Sequence, residues 1–352
     1  MMTNEELNRR FRLQKEYLGG NKPVNKIDPL VTVSVTTYQH GAYIQECLDG
    51  ILMQKTSFPF EVIVGEDGSV DDTAEICKQY ADKYPNKIRL FLRDRTISHY
   101  INEFGKDRML NATFQRMHTR GKYYAACEGD DYWLDPYKLQ KQVDFLEANP
   151  GYVLIHTDYN YKNQETGKIT EAIHTLQGDI PDEEENCAPY IISDRYHIAT
   201  CTALYRMEEG RHIDELYAED FDERYLMGDY QKWFHLARLG KVKYLEDVTA
   251  TYRRNDGSAT AFFDNKKRLV FIENVYWQRR TFAERYGYPE QLPIIHFRYL
   301  RNLAFLKYRI NGHNKNNEYY RKFKALENVS FISLLHLWSS FFKYRVKNLL
   351  KK

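Results

Sequence analysis

The chain has 352 residues, with 51 Lys plus Arg against 49 Asp plus Glu and a formal net charge of +2. Such neutrality argues against a dedicated nucleic-acid binder, which carries a basic excess or stripe. With 43% hydrophobic and 28% charged residues, the composition is that of a folded chain, long enough for about two domains.

Residues 1–27 are polar and charged and read as a short helix or mobile arm. LVTVSVTT (Leu30 to Thr37) is a β-branched run suited to a strand buried on both faces, and a helix follows to about Met53. FEVIVGED (Phe60 to Asp67) is a second strand, after which Ser69 or Asp71 can cap a helix running to about Tyr84. IRLFLR (Ile88 to Arg93) predicts a third strand, Asp107 to His118 a helix, and KYYAACEGDD a fourth strand ending in acids. Strands alternating with helices of about 12 residues predict right-handed βαβ units, an α/β fold and a parallel sheet. Past Pro150 the pattern is mixed. VLIHTDYNY and TCTALYR read as strands around an acidic loop (Asp182 to Glu185), GDYQKWFHLARLG as an amphipathic helix stopped by Gly240, and VKYLEDVTATYRR as two short strands. From Lys266 to about Lys324 the periodicity is helical, with breaks at Gly287, Pro289 and Gly312.

The predicted division is a polar arm over 1–27, a main α/β domain over 28–260, a helical region over 261–330 and a basic amphipathic helix over 331–352. In that last helix Phe331, Leu334, Leu335, Trp338, Phe342, Val346 and Leu349 share one face, and Lys343, Lys347 and Lys351 lie opposite. Such a helix either lies in an anionic membrane surface or packs on the protein's own core. The start lacks the apolar stretch of a signal peptide and no run approaches the roughly 18 apolar residues of a membrane span, so the expected location is cytoplasmic, with peripheral contact at the inner membrane face through 331–352. Five cysteines with no CxxC pair point to reduced thiols. Aromatic residues reach 15%, through 29 Tyr, 19 Phe and 4 Trp. These rings can stack on sugars or bases, or simply fill a tyrosine-rich core.

In open sheets of this class ligands bind beyond the carboxyl ends of the strands. Three such ends carry Thr36-Thr37-Tyr38, Glu66-Asp67-Gly68-Ser69 and Glu128-Gly129-Asp130-Asp131. Adjacent acids at a buried strand end repel and lose solvation, so a cation compensates them, and oxygen ligands suit Mg²⁺ or Mn²⁺ bridging to phosphates. The same triplet can also be a solvated acidic turn. The carboxylate at 67 could accept from a base edge or ribose hydroxyl, while Ser69 and Asp71 cap the next helix. His156-Thr157-Asp158, at another strand end, could line a binding site or serve a core or capping role. No GxGxxG or GxxxxGK[ST] loop follows either strand, which disfavours a dinucleotide site and a P-loop.

VSVTTYQHGAYIQECLDGILMQ, FEVIVGEDGSVDDT, GKYYAACEGDDYWLDPYKLQKQ and GDYQKWFHLARLGKVKYLEDVTATYRRNDGSAT, in this order, resemble a family 2 inverting glycosyltransferase of GT-A fold, of the kind that builds bacterial capsule, exopolysaccharide or lipopolysaccharide glycans. The resemblance covers roughly residues 29–260. It implies a Rossmann-like sheet with helices on both faces plus a C-terminal helical region, and a nucleotide-sugar donor, UDP by preference. The acceptor it implies is a glycan or lipid-linked glycan, with no nucleic-acid partner. By match of position, Thr36, Thr37 and Tyr38 meet the base and ribose, and Asp67 binds the base. Arg93 and Asn111 lie near the nucleotide. Glu128, Asp130 and Asp131 fill the DxD position, with Glu128 and Asp130 on the donor and Asp131, with Asp130, on the Mn²⁺ or Mg²⁺ ion. Asp229, at a helix N-terminus, matches the catalytic base; on its own it would read as an N-cap. Where the family often has a histidine near the end of its YRxHxGS-like segment, this chain has Asn255, which weakens the case for a third metal contact there. Two other readings are a nucleotidyltransferase of the same fold, disfavoured because VTTYQHGAY is poor in Gly and Lys, and a non-catalytic nucleotide-sugar-binding protein.

Overall fold

The computed structural model describes residues 2–19, 27–103, 107–177, 186–220, 222, 225–254, 265–311, 317–326 and 337–342. The acidic loop Asp182 to Glu185 and Asn255 lie outside the described residues. The chain forms two compact units. The first comprises Met1–Cys187, Ile198–Glu223 and Lys232–Asn255; the second comprises Ala188–His197, Arg224–Gln231 and Asp256–Lys352. The second unit thus takes residues 188–197, 224–231 and 256–260 from within the 28–260 span.

The strands of the first unit, in chain order, are β1 (Glu16–Tyr17), β2 (Val31–Thr37), β3 (Phe60–Glu66), β4 (Ile88–Leu92), β5 (His99–Ile101), β6 (Asp107–Met109), β7 (Tyr123–Ala126), β8 (Tyr132–Trp133), β9 (Tyr152–Asn163), β10 (Ile169–Thr170), β11 (Leu204–Arg206) and β12 (Lys241–Arg254). Among the described residues one large sheet has the order β1-β4-β3-β2-β7-β11-β9-β12-β8, with β10 on β9. The α/β architecture expected from the sequence is present. Strands β4, β3, β2 and β7 run parallel, as the alternating strand–helix pattern predicts. Beyond β7 the sheet departs from all-parallel order, since β11 pairs antiparallel with both β7 and β9.

Strand β2 is buried on both faces except at Thr36, and β3 is buried throughout. Val31, Val33, Val35, Val62, Val64 and Tyr123 from these strands form the core with Ile44, Leu48 and Ile51 of the helix Ile44–Leu52 and with Leu139, Val143 and Leu146 of the helix Lys138–Ala148. Burial of that many β-branched and leucine side chains, each contributing about 1.5–3 kcal/mol, drives the layering.

Three elements differ from the sequence reading. The helix expected over 107–118 spans only Asn111–Met117, because Asp107–Met109 pairs with His99–Ile101 as a separate hairpin. The two short strands expected over 242–254 are one strand, β12, bent by register shifts between Leu245 and Ala250, with Glu246 and Asp247 exposed at the bend. The polar N-terminal stretch holds the helix Asn4–Arg12 and the edge strand β1, which pairs with β4 through Glu16↔Phe91 and Tyr17↔Leu90.

The second unit is helical where described. Its helices Asn265–Arg285, Leu292–Asn311 and Glu318–Lys324 match the predicted helical stretch. Arg279 is buried over the Tyr230 ring at 4.4 Å and donates to the carbonyls of Ile191 and Ile192 and to Asp194. A separate apolar cluster joins Leu300, Ala304, Tyr308 and Phe323 to Leu337 and Phe341 of the helical residues 337–342. Among the described residues no helix is long and apolar enough to cross a membrane.

Candidate functional site

Backbone hydrogen bonds lace the two acid-bearing strand ends to the end of β2 between them. The Asp67 N–H donates to the Thr37 carbonyl at 3.0 Å, the Gly129 N–H to Thr36 at 2.9 Å, and the Arg93 N–H to Glu66 at 2.8 Å. The in-register parallel pairing of β2 with β3, which sets Thr37 beside Glu66, makes this convergence unavoidable. Thr36, Thr37, Tyr38, Asp67, Glu128, Asp130 and Asp131 therefore share one edge of the first unit.

At the β3 end, Asp67 is buried, and each carboxylate oxygen has partners. Ser98 Oγ donates to Oδ1 at 3.1 Å, while His99 Nε2 at 2.7 Å and Arg95 Nη1 at 3.3 Å meet Oδ2. Nδ1 of His99 in turn lies 3.1 Å from both oxygens of Asp107. Arg95 also stacks on the Tyr38 ring at 4.5 Å, and Tyr38 is 43% exposed. Glu66 turns back on its own loop and accepts from the N–H groups of Gly68 and Ser69. Gly68 has φ +74°, and a Cβ there would also crowd Arg95.

Arg93 and Asn111 sit beneath this edge, both buried. Arg93 donates to Asn111 Oδ1, Gln14 Oε1 and Gln115 Oε1, and Asn111 Nδ2 donates to the Gly65 carbonyl at 2.8 Å. Burial, only partly offset by Asp67, pulls the Arg93 guanidinium down to about 9. In this structure both residues are braces of the strand ends.

The acid loop Glu128–Asp131 crosses over the end of β2. Gly129 is required there: a Cβ would fall 2.5 Å from Thr37 Oγ1 and 2.8 Å from His40 Nδ1. His40 Nε2 lies 4.0 Å from Asp130 Oδ2, and burial lowers its imidazole below the usual range. Asp131 is 2% exposed; burial first, and then the Asp130 and Glu128 carboxylates, push it well above the usual carboxylate range. It accepts the Arg253 N–H at 2.7 Å and a thiol hydrogen bond from Cys201. The Arg253 guanidinium, 2% exposed, lies between the rings of Tyr43 and Tyr132 at 4.7 and 4.9 Å. It donates to the Asp130 carbonyl and pairs with Glu46. The cation that the acid cluster demands is thus partly supplied by the protein.

Among the described residues no three His, Cys, Asp or Glu side chains converge as a ready metal cage. A Mg²⁺-type ion commonly takes only one or two carboxylates, with the substrate phosphates completing the set. Asp130 and Asp131 fit that mode, since a cation would relieve the charge repulsion that raises Asp131.

Asp229 lies in the first turn of the helix Gly228–Leu239, half-buried, with its Oδ1 accepting the Tyr230 N–H at 2.8 Å. Residues 228–231 belong to the second unit. His156-Thr157-Asp158 is committed to the fold. Asp158 accepts from the N–H groups of Tyr159, His174 and Thr175 and from the hydroxyls of Thr175 and Tyr244. Burial alone would raise its carboxyl, but these donors outweigh it and hold it below the usual range. The sequence reading did not single out Arg253, His40, Arg95, Ser98 or His99. Their signal was present only as position: RDRTISHY follows β4, and YRR ends β12.

The family model described as Glycosyl transferase family 2 matches residues 32–211, half of the chain. An uncharacterized protein of Mycobacterium tuberculosis is 46% identical over 114 residues, 32% of this chain and 30% of its own length. The putative glycosyltransferase EpsE of Bacillus subtilis is 32% identical over 129 residues, 37% of this chain and 42% of its own. The chain therefore spans only about a third of the mycobacterial relative it matches. Among solved structures, S. aureus TarS 1-349 in complex with UDP-GlcNAc is similar at TM-score 0.49 and 16% identity, over 83% of this chain and 91% of that one. The mannosyltransferase PcManGT from Pyrobaculum calidifontis, in complex with GDP-Man and Mn2+, is similar at TM-score 0.48 and 17% identity, over 99% and 94%.

Proposed function

Because this chain belongs to glycosyl transferase family 2, we propose that it moves a sugar from a nucleoside diphosphate, UDP by preference, to a hydroxyl of a glycan or lipid-linked glycan acceptor. The transfer proceeds with inversion, in bacterial surface polysaccharide synthesis. The observation that carries this reading is the lacing of three strand ends, which sets the buried Asp67 and the acid pair Asp130–Asp131 on one edge.

Asp67 accepts an N–H of the base, and the Tyr38–Arg95 stack supports the base or ribose from one side. Thr36 and Thr37 line the same loop, and Glu128 and Asp130 face the ribose and diphosphate. Asp131 with Asp130 would hold Mn²⁺ or Mg²⁺, which supplies the Lewis-acid charge that stabilises a leaving diphosphate. Arg253 adds fixed positive charge behind the acid loop. Asp229 takes the proton from the attacking acceptor hydroxyl, a role worth about 10²–10⁴-fold in rate for a well-placed base. Attack from the face opposite the diphosphate is a single displacement and inverts the anomeric centre. The exposed rings of Trp338 and Phe342, 57% and 69% accessible, favour peripheral contact with an inner membrane face near a lipid-linked acceptor.

Titration calorimetry of UDP, with GDP, CDP and dTDP as controls and with and without Mn²⁺, tests the donor assignment. UDP binds in a Mn²⁺-dependent way, and Asp131→Ala abolishes that dependence. Tight binding of a different nucleotide replaces UDP as donor; binding of none rejects the reading.

A further inference from the structure

The hydrogen bonds that orient Asp67 come from a weak element. Ser98 closes the single helical turn Arg95–Ser98, which Asp94 caps by accepting the Thr96 N–H, and His99 is its C-cap and the first residue of β5. One turn has no stability of its own, and its last carbonyls have no intrahelical partner. Three carbonyls at this end are held from outside the turn: that of Ser98 accepts the Leu110 N–H at 2.8 Å, and the other two accept from one guanidinium. Arg10 Nη1 in the helix Asn4–Arg12 donates at 2.8 Å to the carbonyl of Ile97 and at 2.8 Å to that of His99, the residues on either side of Ser98 and at the Asp67 contact itself.

The support is itself fixed at each step. Arg10 Nε is held by Glu6 at 2.6 Å, and the Glu6 N–H is capped by Thr3. Phe11 packs against His118 at 4.5 Å and Phe114 at 6.0 Å. Gln14 accepts from Arg93, and β1 then pairs with the edge of β4. A carbonyl at a surface turn is served almost as well by water, so a guanidinium placed on two of them gains little for folding. What it adds, beside the Leu110 N–H on the Ser98 carbonyl and the pairing of β5 with β6, is a hold on the two carbonyls that flank Ser98.

We infer that Arg10 is a positioning residue for nucleotide recognition, acting through Ser98 and His99 on Asp67. This rests on the reading of Asp67 as the acceptor for the base. It also gives the N-terminal helix a task in the donor site, although 87 residues separate Arg10 from Ile97.

The test is calorimetric titration of the full chain with UDP and GDP, each with Mn²⁺, and with inorganic pyrophosphate plus Mn²⁺ as a probe that lacks a base. Arg10→Met weakens nucleotide binding roughly tenfold and leaves pyrophosphate binding and the Tm close to those of the unaltered chain. Arg10→Lys, whose ammonium can also reach two carbonyls, restores most of the affinity. An Arg10→Met protein that binds nucleotide normally, or that loses nucleotide and pyrophosphate equally, overturns the inference, and so does a lysine that rescues nothing. Asp67→Asn separates the two levels. If it leaves nucleotide affinity unchanged, the base-site reading itself falls; if it weakens nucleotide and Arg10→Met does not, only the role of Arg10 falls.

Discussion

Lys138 shows how a single buried charge shapes this protein. Its amine is fully buried, donates to Gln142 Oε1 at 2.7 Å and sits 4.4 Å over the Trp133 ring, with no carboxylate in a salt bridge among the described residues. Burial pulls it down to about 7 from an ordinary 10.5. Between those values the unfolded chain holds a proton that the native chain lacks, so stability rises with pH across that window, by at most about 1.4 kcal/mol per pH unit. Below pH 7 both states are charged and the full penalty remains. Lys138→Met should therefore be more stable at pH 6.5 and should lose this part of the rise. Urea midpoints of both proteins at pH 6.5, 8 and 9 measure it, and parallel curves would sink the assignment. The acids at 128, 130 and 131 could be read from the sequence because a charge triplet at a strand end is a local pattern. The Arg253 guanidinium could not, since its partners Glu46 and Asp130 lie far away in the chain.

Elements meet through a few close approaches that only the assembled layers define. Gly50, in the middle of the helix Ile44–Leu52, is an example. In an isolated helix alanine would be better than glycine by about 0.5–1 kcal/mol. Here a Cβ would lie 2.8 Å from the Trp133 carbonyl oxygen and 2.9 Å from its nitrogen, both backbone atoms of β8. The crowding outweighs the propensity gain, because overpacking against backbone that cannot give costs about 1–3 kcal/mol. Gly50→Ala is expected to lower the denaturation midpoint, and a raised midpoint would show that β8 moves freely. Since β8 follows directly on the acid loop, the same variant should also weaken Mn²⁺-dependent UDP binding. Helix and strand placement in the first half followed the hydrophobic period closely. The hairpin β5–β6 did not, because a three-residue strand pair leaves no period to detect.

On the scale of the molecule, residues 337–342 of the C-terminal segment pack on the protein's own core, while the rest of 331–352 lies outside the described residues. Leu337 and Phe341 are buried in the cluster with Leu300, Ala304, Tyr308 and Phe323, while Trp338 and Phe342 are exposed, with the indole N–H of Trp338 donating to the Tyr320 hydroxyl at 2.7 Å. The predicted apolar face contained Trp338 and Phe342 but neither Leu337 nor Phe341. Deleting the whole segment would remove core contacts, so the cleaner variant is Trp338→Ser with Phe342→Ser. If the segment docks on a membrane, this double variant should bind vesicles containing anionic lipid at least roughly tenfold more weakly, as expected when two large apolar side chains are lost from the interface. Its Tm should be little changed. Sedimentation with vesicles measures the partition, and equal partition of the two proteins would count against membrane contact.

Much of the first unit was fixed by local pattern. Alternating buried strands and amphipathic helices signal an α/β fold with parallel strands, and in such a sheet the edge expected to bind ligand is the carboxyl ends of the strands, where Asp67 and Glu128 to Asp131 stand. These rules depend on short-range periodicity, which a chain carries residue by residue. Three features depended on segments distant in sequence: the antiparallel insertion of β11, the bracing of Asp67 by Ser98, His99 and Arg95, and the enclosure of Arg253 between Tyr43 and Tyr132. Each is a pairing of groups that neither partner's local sequence signals. Only the packing of the core brings them within hydrogen-bond or ring-contact distance.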